Sequence, residues 1–455
     1  MSLTGSFFLN GVIALTIVAF IAVILIWPRL TRRTPWHIAG RVGSLAVVNV
    51  LVLFTAATQL NAYYLFYANW ADLAGSFSGN IAQTSVHRGG GERQAPDIAV
   101  AGVKAAVATQ VPPLTQTPDS TGKLVYTVHG PISGLTGTVV VVLPPGYTSP
   151  ADATERYPVL EACHGYPSAP QGWLKNFPVP QDAQQLAAQG QLRTPLLVIP
   201  QIEFPAGVDT EGVNGQLGQP QVETWLTRDV PNWVGAHFRV DANRSSWATI
   251  GDSAGGYVAA MAALLHPAQY GAGIVFGGYY RPDFGPYYEP FAPDSALGRR
   301  YDLVHAEQQS APPVSLWVQT SHADPLSYTS SAAFLRAVHQ PTAVHAVVLR
   351  NAGHRLSVWV DLLPEALRWL GQNVQGFEPG SATTSAATAS TTAPITGHPT
   401  APGTGHRSAR THGAPAVQTG LTLRSPAAGQ RRSALPRSAG ARRRSGGRRP
   451  RPSDR

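Results

Sequence analysis

Ser245-Ser-Trp-Ala-Thr-Ile-Gly-Asp-Ser-Ala-Gly-Gly-Tyr257 is the stretch from which the fold of this chain is read. Trp247 to Ile250 is a short apolar run of the kind that forms a buried strand. It breaks at Gly251-Asp252-Ser253-Ala254-Gly255 and continues into Tyr257-Val-Ala-Ala-Met-Ala-Ala-Leu-Leu265, an Ala- and Leu-rich helical sequence. Strand, G-x-S-x-G and helix in that order form a nucleophile elbow. A serine at the tip of so sharp a turn needs small residues two positions away on either side, because the incoming strand and outgoing helix nearly touch. The helix N-terminus behind it favours developing negative charge. Ser253 is the expected nucleophile.

The 455 residues leave room for one large domain plus appendages, and the net charge of +9 is unevenly spread. From Gly376 to the end there are 13 Arg, no Lys and two acids, Glu378 and Asp454, a balance of +11. The rest of the chain carries −2. The basic character therefore belongs to the tail, and the pI of 9.8 gives no ground for a nucleic-acid partner. The single cysteine, Cys163, excludes an intramolecular disulfide. It ends an apolar run and is expected to pack as a small hydrophobe rather than act as a nucleophile.

Residues 1 to 28 contain no charged side chain, and Phe7 to Trp27 is almost wholly apolar, about the ~20 residues that cross a bilayer core. A second uncharged stretch, Val42 to Trp70, ends in the aromatic Asn61-Ala-Tyr-Tyr-Leu-Phe-Tyr67, like an interfacial belt. Between them lie Arg29, Arg32, Arg33 and Arg41. The positive-inside rule puts that loop in the cytoplasm and everything after Trp70 outside. The first span lacks the basic n-region and the A-x-A-like site of a cleaved signal peptide, and a second span follows. A retained multi-pass anchor in the cell membrane is therefore expected, with the catalytic domain extracytoplasmic.

Four segments follow from this: 1–71 as two transmembrane helices, 72–122 as a flexible spacer, 123–376 as the catalytic domain, and 377–455 as a tail. Ser/Thr/Ala/Pro-rich and then Arg-rich, the tail cannot bury a core and is expected to be disordered. Outside the cell it suits anionic wall polymers or lipid headgroups, and equally a solvated segment without a specific partner. In 123–376, strands are expected at Lys123 to His129, Thr136 to Leu143, Tyr157 to Cys163, Thr194 to Pro200, Gly273 to Gly278, Val314 to Ser321 and Val344 to Leu349, besides the elbow strand. Helices are expected at Val222 to Phe238, which Pro231 must kink or divide, and at Ser357 to Leu370, interrupted by Pro364. Apolar strands alternating with helices give an α/β fold with a mostly parallel sheet covered on both faces.

A serine hydroxyl needs a base, and the base an orienting acid. After such an elbow the chain order is Ser, acid, His, with the last two on loops that follow strands. His354, in Arg350-Asn-Ala-Gly-His-Arg355, directly follows the last strand and precedes the closing helix, as the base should. His345 falls inside a strand, His339 ends a helical run, and His322 is a weaker competitor. Asp324, in Ser321-His-Ala-Asp-Pro325, follows its strand, whereas Asp302 precedes it and Asp361 comes after the histidine. An Asp before Pro is also a common turn residue. The oxyanion hole needs two backbone N–H groups: Ala254 supplies one, and the loop Leu160-Glu-Ala-Cys-His-Gly-Tyr-Pro167 the other, at Tyr166. His164 is expected to buttress that loop. The insert Tyr279 to Ala306, carrying Tyr279, Tyr280, Tyr287, Tyr288 and Phe291, is expected to form a lid or acyl-binding wall, or simply to pack.

With these residues in view, Glu223-Thr-Trp-Leu-Thr-Arg-Asp-Val-Pro-Asn-Trp233, the elbow, His266-Pro267, His164-Gly165-Tyr166 and Gly172-Trp173 together resemble the putative-esterase family of α/β-hydrolases. Within it the chain looks like the antigen 85 mycolyltransferases and related actinobacterial membrane-anchored esterases. The resemblance spans about Lys123 to Gly371 and implies an α/β-hydrolase fold and a Ser–acid–His acyl-enzyme without metal or cofactor. The mycolyltransferases use Glu as the acid and carry no membrane spans, so mycolate and trehalose are not implied. Three functions follow: an esterase acting on small or lipid esters, a cell-envelope acyltransferase passing the acyl group to a sugar or lipid hydroxyl, and a catalytically silent wall-binding protein.

Overall fold

In a computed structural model, residues 3–78, 83–89, 100–285 and 288–380 are described. Their centre is one nine-stranded sheet: β1 (Gln83–Gly89), β2 (Lys123–His129), β3 (Thr136–Val142), β4 (Val159–Cys163), β5 (Leu196–Pro200), β6 (Trp247–Asp252), β7 (Ala272–Phe276), β8 (Ser315–Ser321) and β9 (Ala343–Leu349). The order is β1-β9-β8-β7-β6-β4-β5-β3-β2. From β9 across to β5 the strands run parallel; β3 is antiparallel to both β5 and β2, and at the opposite edge β1 is antiparallel to β9.

Successive side chains on β4 go to opposite faces, yet all five are buried. Val159 and Cys163 join the core under helix Ala254–Leu265, whereas Leu160 and Ala162 join the core under helices Val179–Ala188 and Leu356–Asn373. Burial on both faces is what a parallel sheet with helical crossovers requires. Together with the elbow it makes the fold an α/β-hydrolase. The loops carrying Ser253, Asp324 and His354 follow the carboxyl ends of β6, β8 and β9.

The prolines act differently from each other. Ahead of Pro231, the expected helix opens into a π turn, Trp225–Asp229, before resuming as Val230–His237. Pro364 instead stays inside an unbroken Leu356–Asn373 helix. The expected interruption is absent there.

The expected spacer is also corrected where it is described. Residues of β1 form a sheet edge against β9, and its polar sequence, with Val86 the lone half-buried position, disguises it as a linker. Farther on, Arg156 Nη2 donates to Ala108 O at 2.8 Å and Ala105 N–H to Gln269 Oε1 at 2.7 Å, holding this segment on the domain. The stretches 79–82 and 90–99 lie outside the described residues, as do 381–455 and therefore nearly all of the expected disordered tail.

Ahead of the sheet stand α1 (Ser6–Ile26), α2 (Pro35–Tyr64) and the short α3 (Trp70–Ser78). By length and composition α1 and α2 can each cross a membrane, a property that anchors share with signal sequences. Thr16 and Thr55 hydroxyls meet at 2.8 Å, and Phe8 packs edge-on against Trp70, so the two helices run antiparallel. Most of their apolar side chains face outward, Leu53 being 70% exposed.

Candidate active site

The elbow places Ser253 at φ 54, ψ −122, a conformation that L residues rarely adopt and that costs of order 1–3 kcal/mol. Two glycines permit it. A Cβ on Gly251 would sit 2.1 Å from Gly255 O, and one on Gly255 would sit 2.0 Å from Cys163 O. Both distances are far inside van der Waals contact, so the turn closes only with glycine at these positions. Cys163 itself is buried, its thiol pushed well above its ordinary value by burial and then by the nearby carboxyls of Glu161 and Asp252. It packs as a small core residue.

His354 Nε2 lies 2.8 Å from Ser253 Oγ, and His354 Nδ1 lies 2.9 Å from Asp324 Oδ2. With the proton on Nδ1, the imidazole donates to the carboxylate and accepts from the serine hydroxyl. Asp324 is 2% exposed and His354 7%. Burial pushes the Asp324 carboxyl up. Opposing it, the His354 hydrogen bond and charge, the Ser327 hydroxyl at 2.7 Å and the Leu326 N–H hold it below its ordinary value. It therefore stays ionised opposite the imidazole. The Trp359 ring stands edge-on to His354 at 4.9 Å.

The other histidines and acids weighed from sequence lie elsewhere. His322 is exposed and packs on Tyr328. His345 pairs across the sheet edge with His87, and His339 bonds to Ala337 O. Asp302 caps the helix Leu303–Gln309. His164 accepts from Ile202 N–H at Nε2 and donates from Nδ1 to Gly165 O, so it stands as a neutral brace under the loop. Burial lowers its proton affinity in keeping with that state.

The two expected oxyanion donors flank the serine. Ala254 is its chain neighbour and opens the following helix. Tyr166 follows Gly165, whose added Cβ would lie 3.5 Å from Ser253 Cβ. Tyr166 and Ser253 line one cavity of about 400 Å³.

Several neighbours were not singled out from sequence. Asp252, beside Ser253, is buried and accepts from Trp173 Nε1 at 2.8 Å. Burial raises its carboxyl to about 6, against the pull of that hydrogen bond and of His354. Gly172-Trp173 was visible as a family feature, though not its partner. Tyr63, Tyr64 and Phe66, from the end of α2 and just beyond, form part of the cavity wall. Among its described residues, the aromatic insert does not. Tyr280 stacks on Phe334, Phe291 on Tyr301 and Tyr279 on Tyr257, all as packing; Tyr287 lies outside the described residues. The insert is fastened by Glu223, which Tyr301 and Arg300 engage from the insert and His266 from the elbow helix. Among the described residues, no cluster of three or more His, Cys, Asp or Glu side chains is arranged to hold a metal ion.

Residues 134–370 match the family model described as Putative esterase, more than half of the chain. The chain belongs to that family. Over 250 residues it is 25% identical to an uncharacterized protein of Corynebacterium glutamicum, covering 53% of this chain and 52% of that one. The chain thus spans about half the length of the curated relative it matches. Among solved structures it is similar to an S-formylglutathione hydrolase from Agrobacterium tumefaciens (18% identity, 57% of this chain and 99% of the other, TM-score 0.48). It is also similar to a ferulic acid esterase (19%, 55% and 97%, TM-score 0.47) and to MPT51 of Mycobacterium tuberculosis (15%, 55% and 97%, TM-score 0.43).

Proposed function

We propose that this esterase-family member is a serine esterase working through an acyl-enzyme, with Ser253, His354 and Asp324 as its triad. The observation that carries the proposal is the unbroken run of hydrogen bonds from Asp324 through His354 to Ser253 Oγ. Ser253 Oγ attacks the ester carbonyl carbon as His354 Nε2 takes its proton. Asp324 stabilises the imidazolium, and the N–H groups of Tyr166 and Ala254 receive the oxyanion. Collapse of the intermediate expels the alcohol, which takes the proton from His354. Water, activated by the same histidine, then releases the acid. A sugar or lipid hydroxyl in place of that water turns the same groups to acyl transfer, and product analysis with and without a polyol distinguishes the two.

In this proposal α1 and α2 are a two-span anchor, with Arg29, Arg32 and Arg33 on the cytoplasmic side and the catalytic domain outside. The outward-facing apolar side chains of the hairpin and its clustered arginines support that placement. The test is labelling of the full-length protein in detergent by a fluorophosphonate, beside its Ser253→Ala variant. Labelling confined to the wild type supports the proposal. A folded wild type that does not label overturns it and returns weight to a silent binding role.

A further inference from the structure

The chain leaves α2 and turns at once into the catalytic centre. Leu65 caps the helix at φ 57, and Asn61 fixes the turn by bonding the Tyr67 N–H at 2.8 Å and its carbonyl at 2.9 Å. The carbonyl of Leu65 accepts from the His354 N–H at 3.0 Å. That of Phe66 accepts from Arg355 Nη1 at 3.1 Å. Asp72, at the start of α3, accepts from Gly353 N–H at 2.8 Å and from Arg355 Nη1 at 2.7 Å. The fit is close: a Cβ on Gly353 would lie 2.3 Å from Phe66 O. The end of the second apolar helix is thereby fixed in position against the loop that carries His354.

This fixed segment also shapes the cavity above Ser253. Tyr63, Tyr64 and Phe66 line it together with Trp359, Leu356 and Phe177. The three juxtamembrane rings are 78%, 39% and 41% exposed, so they reach the rim. Aromatic rings at the end of a membrane-length helix settle at the level of the headgroups. The mouth of the cavity then opens at the bilayer surface.

We propose that Tyr63, Tyr64 and Phe66 form the acyl-binding wall of this site, and that its substrates are esters drawn from the bilayer, whose chain slides past these rings as its carbonyl reaches Ser253. The proposal rests on the serine-esterase reading above. An ester already dissolved in water has no need of a wall at headgroup level. For a lipid, each methylene passed from hydrocarbon to an aromatic wall stays out of water. A chain presented from water gains about 0.8 kcal/mol per methylene buried there, close to a fourfold gain in kcat/KM for each methylene the wall covers.

Full-length protein in phosphatidylcholine vesicles would be assayed with p-nitrophenyl acetate, octanoate and dodecanoate. Wild type would be compared with Ser253→Ala, Tyr64→Ala/Phe66→Ala and, as a filling variant, Phe66→Trp. The double variant is expected to lower the dodecanoate-to-acetate ratio of kcat/KM about tenfold while still turning over acetate, which shows that it folds. Phe66→Trp is expected to shift the preference toward shorter chains. Unchanged ratios in both variants, with turnover still abolished by Ser253→Ala, would overturn the wall alone. Turnover that survives Ser253→Ala would overturn the esterase reading beneath it.

Discussion

Arg355 Nη1 donates to Asp72 Oδ1 at 2.7 Å, both side chains being buried, in the residue directly after His354. The pair joins the loop carrying His354 to the segment that leaves the second apolar helix. Asp72→Ala leaves the buried guanidinium without its carboxylate partner and removes the acceptor for the Gly353 N–H. Breaking a buried pair from one side costs about 3–5 kcal/mol. The expected result in detergent is a lower Tm together with at least a tenfold fall in kcat, because the histidine loop loses its support. Unchanged values would mean the contact does not position His354.

Removing the two apolar helices is expected to lower turnover. A chain beginning at Asp72 lacks the Leu65 and Phe66 carbonyls that engage His354 N–H and Arg355, and the aromatic wall with them. Such a fragment should turn over p-nitrophenyl acetate at least tenfold more slowly than the full chain in the same detergent. Equal rates would show that the juxtamembrane turn is only a tether.

Gly255→Ala should abolish activity. Its Cβ would lie 2.0 Å from Cys163 O, a backbone atom on a central strand that cannot step aside. Opening the elbow displaces Ser253 from His354 and costs more than about 3 kcal/mol. Circular dichroism and turnover of the purified variant check this; wild-type turnover would contradict the elbow geometry.

Asp252→Asn is expected to stabilise the protein at neutral and alkaline pH. Burial raises this carboxyl from 3.8 to about 6, so the folded state holds the proton more tightly than the unfolded one. Below about pH 3 both states are protonated and the ionisation cost vanishes; it grows as pH rises and is complete above about pH 7. The gap corresponds to ~3 kcal/mol. Asparagine mimics the protonated form and keeps an oxygen for Trp173 Nε1. Its Tm advantage over wild type should therefore be absent near pH 3 and largest near pH 8. A constant offset would show that Asp252 is not held in this way.

What the sequence disclosed follows local pattern. The elbow is legible because Gly251, Ser253 and Gly255 share one short turn between a buried strand and a helix. Asp324 and His354 are legible as polar residues just past apolar strands. β1 escaped because an edge strand with one half-buried side chain has no apolar periodicity to display. Pro364 misled, since a helix can keep a proline where its neighbours tolerate the missing N–H. Asp72 and the rings of Tyr63, Tyr64 and Phe66 were hidden by distance. The Asp72 partner Gly353 lies 281 residues away, the rings share a cavity with residues from distant loops, and an aromatic helix end reads as an interfacial belt whatever adjoins it.

The most direct measurement is a rapid-mixing assay of full-length protein with p-nitrophenyl acetate, followed by acid quench and peptide mass analysis. A burst of p-nitrophenol equal to the enzyme present, with an acetyl group on the peptide containing Ser253 and neither in Ser253→Ala, is the predicted result. Turnover that persists in Ser253→Ala, or an acetyl group on another residue, would contradict the assignment of Ser253 as the nucleophile.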